Sequence, residues 1–187
     1  MITSKIKIKQ SKTGRILADT PGVENANHGL VIGMARGELV GSIAMTEPDA
    51  GSDLLGIKTT ARRDGDHYVV NGSKTFVTNG WHAGIVVLAV KTDPKAVGPK
   101  GLSLIAVESK GLPGYRVGRS LEKVGRHGHD TCEIYFDDMR VPVSNLLGAK
   151  EGQGFFQMME QLPYERLSVG VSAAATAEHA VAITTQY

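Results

Sequence analysis

A ten-residue stretch, AMTEPDAGSD at positions 44–53, places several ligand-binding groups directly after an apolar run. Thr46 and Ser52 supply hydroxyl groups, and Gly51 lets the backbone approach another molecule closely. Backbone amides and hydroxyl groups at the end of a strand can hydrogen-bond a bound ligand. The stretch therefore predicts a binding loop. The alternative is a plain strand end whose Glu-Pro pair begins a type I turn.

A second polar cluster is the HGH sequence at 127–129, which follows Arg126. Histidines two residues apart can both ligate a metal, but no third ligand follows nearby. The cluster therefore favours a solvated loop, and we expect no metal. Cys132 is the only cysteine, which excludes an internal disulfide and a cysteine-based metal site.

Glu165 and Arg166 follow Pro163 in a segment with helical spacing. A carboxylate on a helix can act as a general base where desolvation raises its pKa. The same two residues are more simply explained as an ion pair on a solvated helix face. Residue types alone leave both interpretations open.

The composition is typical of a soluble globular protein, since 41% of the 187 residues are hydrophobic and 21% are charged. The 23 glycines and the low aromatic content of 5% predict frequent turns, and hence short strands. The net charge of +2 is too small to favour nucleic acid as a partner. No apolar run approaches a membrane span, so we expect no membrane insertion.

Strand patterns fill the middle of the chain. Apolar or alternating runs of strand length occur at 39–45, 57–63, 84–92, 101–109 and 131–142, and a further alternating segment spans 66–80. Asp64-Gly65 and Asn71-Gly72 each lie between alternating runs, which predicts two hairpins. The segment 1–28 is basic and only weakly periodic, and is poorly specified. The fold class predicted is mainly β, an antiparallel β-barrel or sandwich followed by helix.

From Gly154 the apolar residues recur at helical spacing, and after Pro163 only one glycine and no proline follow. We predict one long helix that can bend at Pro163. Its small apolar face requires partner helices, and no cap ends it. The expected domains are a basic segment (1–28), a β-domain (29–150) and the first helix of a truncated helical domain (151–187).

Three segments resemble, in order, signatures of the acyl-CoA dehydrogenase family. TEPDAGSD (46–53) is similar to its flavin loop, NGSKTFVTNG (71–80) to its second flavin strand, and FDDMRVPVSNLLG (136–148) to the entry into its C-terminal helical domain. LPYERL resembles the long-chain and isovaleryl types. The resemblance covers about His28 to Tyr187. It implies the family's middle β-domain and the start of its helical bundle, without the N-terminal helical domain.

The resemblance also assigns roles to residues. The implied FAD contacts are Met45, Thr46, Gly51, Ser52, Phe76, Val77 and Thr78. The implied substrate contacts are Ser52, His129, Tyr164 and Arg166, and the implied catalytic base is Glu165. Phe76 stands where many relatives have tryptophan, and His129 where many have a serine that contacts CoA. Taken alone, the second motif also fits an ordinary strand with Phe76 in the core.

The implied reaction is the α,β-dehydrogenation of a fatty acyl-CoA to a trans-2-enoyl-CoA, with FAD as cofactor and electron-transfer flavoprotein as electron acceptor. The family implies a homo-oligomer, in the cytoplasm of a bacterium or the mitochondrial matrix of a eukaryote. Two other hypotheses stay open. One is a truncated β-domain without catalysis, and the other is an acyl-CoA oxidase or flavin monooxygenase on the same fold. No glycine-rich dinucleotide turn is present, so a nicotinamide cofactor is not implied.

Overall fold

The computed structural model of the chain describes residues 7–10, 16–19 and 33–187. The chain divides into two compact units, Met1–Gly154 and Phe155–Tyr187. Strands make up the first unit and a helix the second, so the predicted fold class, mainly β with a C-terminal helix, is confirmed.

The described part of the first unit contains nine strands. Their bounds are β1 Lys7–Gln10, β2 Ile16–Asp19, β3 Gly41–Ala44, β4 Thr60–Asp64, β5 His67–Thr78, β6 Ile85–Lys91, β7 Leu102–Glu108, β8 Tyr115–Ser120 and β9 Thr131–Pro142. β1 and β2 form an antiparallel pair of their own. The other residues of the poorly specified segment 1–28 lie outside the described residues.

Strands β3 to β9 form one seven-stranded sheet in the order β3-β6-β4-β5-β9-β8, with β7 paired to β6. The pairings are antiparallel except that β6 runs parallel to β3 and to the start of β4. The core lies where the apolar sides of these strands meet, and its fully buried members include Val70, Val86, Leu88, Ile105, Ile134 and Met139. The sequence pattern does not predict β8, because arginines and a glycine interrupt its apolar residues.

The hairpin predicted at Asp64-Gly65 is confirmed. β4 and β5 pair with Asp64 opposite His67, and Gly65 takes the left-handed φ of 63° that such a tight turn requires. β5 then runs for twelve residues and pairs on its other side with β9.

The second predicted hairpin, at Asn71-Gly72, is wrong, because β5 continues through both residues. Asn71 instead exchanges two hydrogen bonds of 2.9 Å with Asp138 of β9. Gly72 has a φ of 142°, and a Cβ there would lie 2.6 Å from the hydroxyl oxygen of Thr59. The glycine therefore permits a close approach at a bulge rather than a reversal of the chain.

The helix α1 spans Gly154–Gln186, and all of it except its first residue lies in the second unit; it includes Pro163 and confirms the predicted long helix. Its later apolar side chains, such as Leu167, Val171 and Val181, are exposed. By length and composition this helix could cross a membrane, with a mean hydropathy of 1.2 over one 18-residue window. Core helices of soluble proteins meet the same criterion. The expectation that no apolar run approaches a membrane span is nevertheless wrong for this segment.

Candidate functional site

The predicted binding loop lies against the far half of β5. We call residues 44–53 the binding loop and residues 74–78 the bulged segment. The backbone N–H of Thr75 donates to the carbonyl of Thr46 at 2.9 Å. The hydroxyl of Ser42 on β3 donates to the carbonyl of Thr78 at 2.6 Å. The structure therefore brings together two segments that the sequence predicts to bind one ligand.

A buried ion pair holds these two segments together. The Lys74 ammonium lies 2.8 Å from Oε1 of Glu47 and donates to the carbonyl oxygen of Met45 at 2.9 Å. The side chains of Lys74 and Glu47 are 0% and 5% exposed. Both oxygens of Glu47 also accept backbone N–H groups, from Lys58 at 2.6 Å and from Thr59 at 3.0 Å. The buried charges are thus paired and hydrogen-bonded, as burial of charge requires.

Burial and pairing act on the two pKa values in opposite directions. Burial by itself raises the pKa of Glu47, but hydrogen bonds from Lys74, Thr59 and Lys58 outweigh it and hold that pKa below its usual value. For Lys74 burial dominates and lowers the pKa of the ammonium to about 8, although Glu47 opposes the shift. Both groups are therefore charged at neutral pH.

The binding loop itself contains a tight turn. The N–H of Glu47 donates to the carbonyl of Ala50 at 2.9 Å, and the N–H of Ala50 donates back at 3.1 Å. A turn at the Glu-Pro pair is therefore present, as the simpler interpretation of this stretch expected. Beyond it Gly51 and Ser52 are exposed, and the Ser52 hydroxyl makes no hydrogen bond to any part of the chain that the structure describes. These exposed groups are available to a ligand.

Phe76 has an unusual backbone conformation. Its φ is 55°, in the left-handed region that residues other than glycine seldom adopt. It lies in the bulge between Lys74 and Val77, where the pairing of β5 with β9 shifts register. The ring is 66% exposed, so the interpretation of Phe76 as a core residue is wrong. Such strain costs about 1–3 kcal/mol and is concentrated at functional sites.

The other predicted residues of the bulged segment differ in what they can offer. Val77 is 1% exposed and packs in the core, so only its backbone atoms could face a ligand. Thr78 is exposed, and Met45 and Thr46 are partly buried. The site therefore consists of an aromatic ring, exposed hydroxyls and backbone groups above a buried ion pair.

A surface cleft of about 540 Å³ lies near the predicted histidine cluster. It is lined by His82, Ser120, Leu121, Glu122, Lys123, His127, Gly128, His129 and Asp130. Lys123 donates to the carbonyl of His129, and its ammonium lies 3.2 Å from Nδ1 of that ring. Within residues 33–187 no group of three or more histidine, cysteine or acidic side chains could hold a metal. His129 shares this cleft with the cationic Lys123 and with the acidic side chains of Glu122 and Asp130.

Asp130 organises one wall of this cleft. Its carboxylate lies 2.8 Å from Nδ1 of His82 and accepts the backbone N–H of Trp81 at 2.8 Å. Burial raises the pKa of Asp130, but these hydrogen bonds outweigh it and lower that pKa overall. The carboxylate is therefore charged at neutral pH and fixes the start of the turn after β5.

The predicted helix residues Tyr164, Glu165 and Arg166 occupy consecutive positions of α1 in the second unit. All three are exposed, and Tyr164 is 72% exposed. The structure shows no ion pair between Glu165 and Arg166 among its described residues, so the ion-pair explanation of these two residues is not supported. The Glu165 carboxylate is open to solvent.

Lys74 is the site residue that sequence reasoning missed, and Glu47 was assigned only to a turn. The signal available in the sequence was a glutamate in the first motif (46–53) and a lysine in the second (71–80), which can pair if the two motifs lie together. A lysine that is buried within a strand needs a partner, because unpaired charges are almost never buried.

Comparison with known proteins agrees with this architecture. Residues 42–139 match the family model described as acyl-CoA dehydrogenase, middle domain. The chain is 44% identical over 155 residues to the mitochondrial long-chain specific acyl-CoA dehydrogenase of Sus scrofa, covering 82% of this chain and 36% of that protein. It is 42% identical over 135 residues to the mitochondrial isovaleryl-CoA dehydrogenase of Pongo abelii, covering 72% and 31% respectively.

The crystal structure of an acyl-CoA dehydrogenase from Geobacillus kaustophilus is similar, with a TM-score of 0.81 and 52% identity over 86% of this chain and 42% of that chain. The chain thus spans less than half the length of these relatives. The family and the fold inferred from the motifs are confirmed. This chain belongs to the acyl-CoA dehydrogenase family, and its residues 42–139 correspond to the middle domain.

Proposed function

We propose that this chain provides the flavin-binding face of an FAD-dependent acyl-CoA dehydrogenase. The reaction removes the α-proton and a β-hydride from a fatty acyl-CoA thioester and gives a trans-2-enoyl-CoA. The observation that supports the proposal is the junction between the binding loop and the bulged segment, which Lys74, Glu47 and Thr75 hold together. This junction exposes the groups that a flavin requires.

The residues of the junction fit FAD. A flavin presents a flat apolar ring system, a polar ring edge and an anionic diphosphate. The exposed ring of Phe76 can cover part of the flat face. The backbone and hydroxyl groups of Thr46 and Thr78 can hydrogen-bond the ring edge, and Ser52 can donate to a phosphate. Bound FAD would supply the hydride acceptor.

We assign abstraction of the α-proton to Glu165. The proton beside a thioester is weakly acidic, so its base must lie within hydrogen-bond reach and be partly desolvated. The Glu165 side chain is exposed on α1, so the desolvation would come from the bound substrate. The assignment rests on the match of LPYERL to the long-chain and isovaleryl types.

We assign substrate binding to Ser52 and His129 of the first unit and to Tyr164 and Arg166 of the second. In the second unit Tyr164 and Arg166 flank Glu165 and suit the thioester and CoA side of the substrate. In the first unit Ser52 is exposed, and His129 lies in the cleft beside Lys123, where cationic groups suit CoA phosphates. We further propose electron-transfer flavoprotein as the electron acceptor and a homo-oligomeric assembly, in the bacterial cytoplasm or the mitochondrial matrix.

The test uses the purified 187-residue protein, FAD and acyl-CoA thioesters of increasing chain length. We expect FAD to bind, and anaerobic mixing with a suitable thioester to bleach its visible absorbance. Glu165→Gln should keep FAD bound while bleaching slows by roughly 100-fold to 10,000-fold, the usual contribution of a general base. Glu160→Gln, an exposed glutamate earlier on the same helix, is the matched control and should behave as the parent.

Two results would contradict the proposal. A protein that takes up no FAD would overturn the flavin-binding assignment, and unchanged bleaching in Glu165→Gln would overturn the assignment of the base. A reduced flavin that reacts rapidly with oxygen would favour an acyl-CoA oxidase or a monooxygenase instead.

A further inference from the structure

Lys74 and Glu47 are the only charged side chains that are buried within residues 33–187. The ligand, substrate and catalytic contacts proposed above include neither side chain. Buried ion pairs add little stability compared with apolar side chains of similar volume. A lysine that is 0% exposed therefore calls for another explanation, and its second hydrogen bond provides one.

The ammonium of Lys74 fixes the direction of one peptide group at the end of β3. It donates to the carbonyl oxygen of Met45 at 2.9 Å, so this carbonyl points toward the buried pair. The described peptide bonds are all trans, and in a trans peptide the carbonyl and the following N–H point in opposite directions. The N–H of Thr46 therefore points away from the buried pair.

That N–H has no acceptor within the described part of the chain. The groups around it are already paired, since the Thr46 carbonyl accepts from Thr75 and the Glu47 N–H donates to Ala50. A backbone donor that the protein leaves free has to be satisfied by water or by a ligand. Because the Thr46 carbonyl accepts from Thr75, which directly precedes Phe76, this free donor lies near the backbone of the bulged segment.

We propose that Lys74, held by Glu47, is a positioning residue that directs the Thr46 N–H toward the polar edge of the bound ring. This inference rests on the proposed flavin-binding function. If the Met45–Thr46 peptide turned over, the ammonium would lose an acceptor inside the protein and the ligand would lose a donor. A buried ammonium opposes that rotation strongly, because an unsatisfied buried charge is costly.

A second ion pair, between Asp49 of the binding loop and Lys58 just after it, provides a matched control. Lys58 and Asp49 form an ion pair at 2.7 Å, but their side chains are 73% and 69% exposed. The Lys58 ammonium has no described hydrogen bond to a backbone carbonyl. Lys58→Met therefore removes a cation from the same neighbourhood without removing the contact that orients the Met45–Thr46 peptide.

The experiment titrates the ¹⁵N-labelled full chain with FAD and follows both affinity and the amide resonance of Thr46. In the parent and in Lys58→Met we expect this resonance to shift on binding and its exchange with solvent to slow. In Lys74→Met we expect FAD affinity to fall about tenfold, the loss of roughly one hydrogen bond. The Thr46 amide should then show neither the shift nor the protection.

If Lys74→Met does not fold by circular dichroism, the double variant Lys74→Met, Glu47→Gln replaces it, because removing both charges leaves no unpaired buried ion. A Lys74 variant that keeps the parent's affinity and its Thr46 shift would overturn the positioning role. A parent that binds no FAD would overturn the proposed flavin site and this inference with it. FAD binding that depends on Lys74 would support the inference even where acyl-CoA is not oxidised.

Discussion

Two lysine–carboxylate pairs in the binding loop region have nearly the same length and very different surroundings. Lys58 and Asp49 are 2.7 Å apart and mostly exposed, whereas Lys74 and Glu47 are 2.8 Å apart and almost fully buried. The exposed pair makes one hydrogen bond. The buried pair is joined to Met45, Lys58 and Thr59 by further bonds to their backbone.

The difference shows that an ion pair's length alone says little about its role. Water competes for both partners of the exposed pair, so their attraction is weak. The buried pair has lost its water, and each partner depends on the other and on backbone groups around it. Only the buried pair can therefore fix the relative position of the binding loop and the bulged segment.

The largest effect that we expect follows from removing the buried cation. Lys74→Met should lower the free energy of unfolding by about 3 kcal/mol, because it leaves the Glu47 carboxylate buried without its cation. Urea denaturation followed by circular dichroism measures the change. Combining it with Glu47→Gln should recover part of the loss, because neither charge then remains unpaired. A loss below about 1 kcal/mol would show that the pair does not hold the two segments together.

The two lysines should also respond to alkaline pH with opposite signs. Burial lowers the pKa of Lys74 to about 8 from an unfolded value of 10.5. Between these values the unfolded chain binds more protons, so the contribution of Lys74 to the free energy of unfolding rises, by at most about 1.4 kcal/mol per pH unit. The hydrogen bond with Asp49 raises the pKa of Lys58, so its contribution is present below pH 10.5 and is lost as pH rises through the folded value.

Urea titrations across this pH range, with the parent and Lys74→Met side by side, isolate the contribution of the buried lysine. The stability difference between the two proteins should change in favour of the parent as pH rises. A difference that stays constant between pH 8 and 10.5 would show that the pKa of Lys74 is not lowered in the folded chain.

The backbone of the bulged segment is strained at Phe76. Phe76→Gly removes the cost of a φ of 55°, and since the ring is 66% exposed little burial is lost. After the entropy cost of a new glycine, we expect the free energy of unfolding to rise by about 1 kcal/mol, while FAD affinity falls. Phe76→Ala keeps the strained φ and should lose affinity without gaining stability. Equal stability of the two variants would exclude stored strain as the cause.

β5 explains which parts of this structure the sequence could reveal. The motifs located a loop after β3 and the strand β5, and helical spacing predicted α1. The sequence does not reveal which β5 side chains are buried. Bulges near Gly72 and Phe76 each shift the alternation of side chains between the two faces of the sheet. A period of two then assigns Phe76 to the same face as Lys74, although the lysine is buried and the ring is exposed.

The prediction of a hairpin at the Asn-Gly pair is wrong for a related reason. Asn-Gly favours a hairpin because both residues tolerate a left-handed backbone. Here the asparagine bonds to Asp138, and the glycine admits Thr59 at a distance that no Cβ would allow. These contacts join residues far apart in sequence, so local patterns do not contain them. The Lys74–Glu47 contact, 27 positions apart, was inaccessible for the same reason.

The smallest effect belongs to the exposed pair. Lys58→Met should leave the urea midpoint and the FAD affinity unchanged within error, because solvent already weakens the attraction between Lys58 and Asp49. The substitution also keeps the backbone N–H of Lys58, which donates to Glu47 at 2.6 Å, so the buried network stays complete. Denaturation at low and high salt, which screens exposed charges more than buried ones, checks the argument. A Lys58 variant as unstable as Lys74→Met would show that the loss of a cation beside the binding loop matters, whether or not that cation is buried.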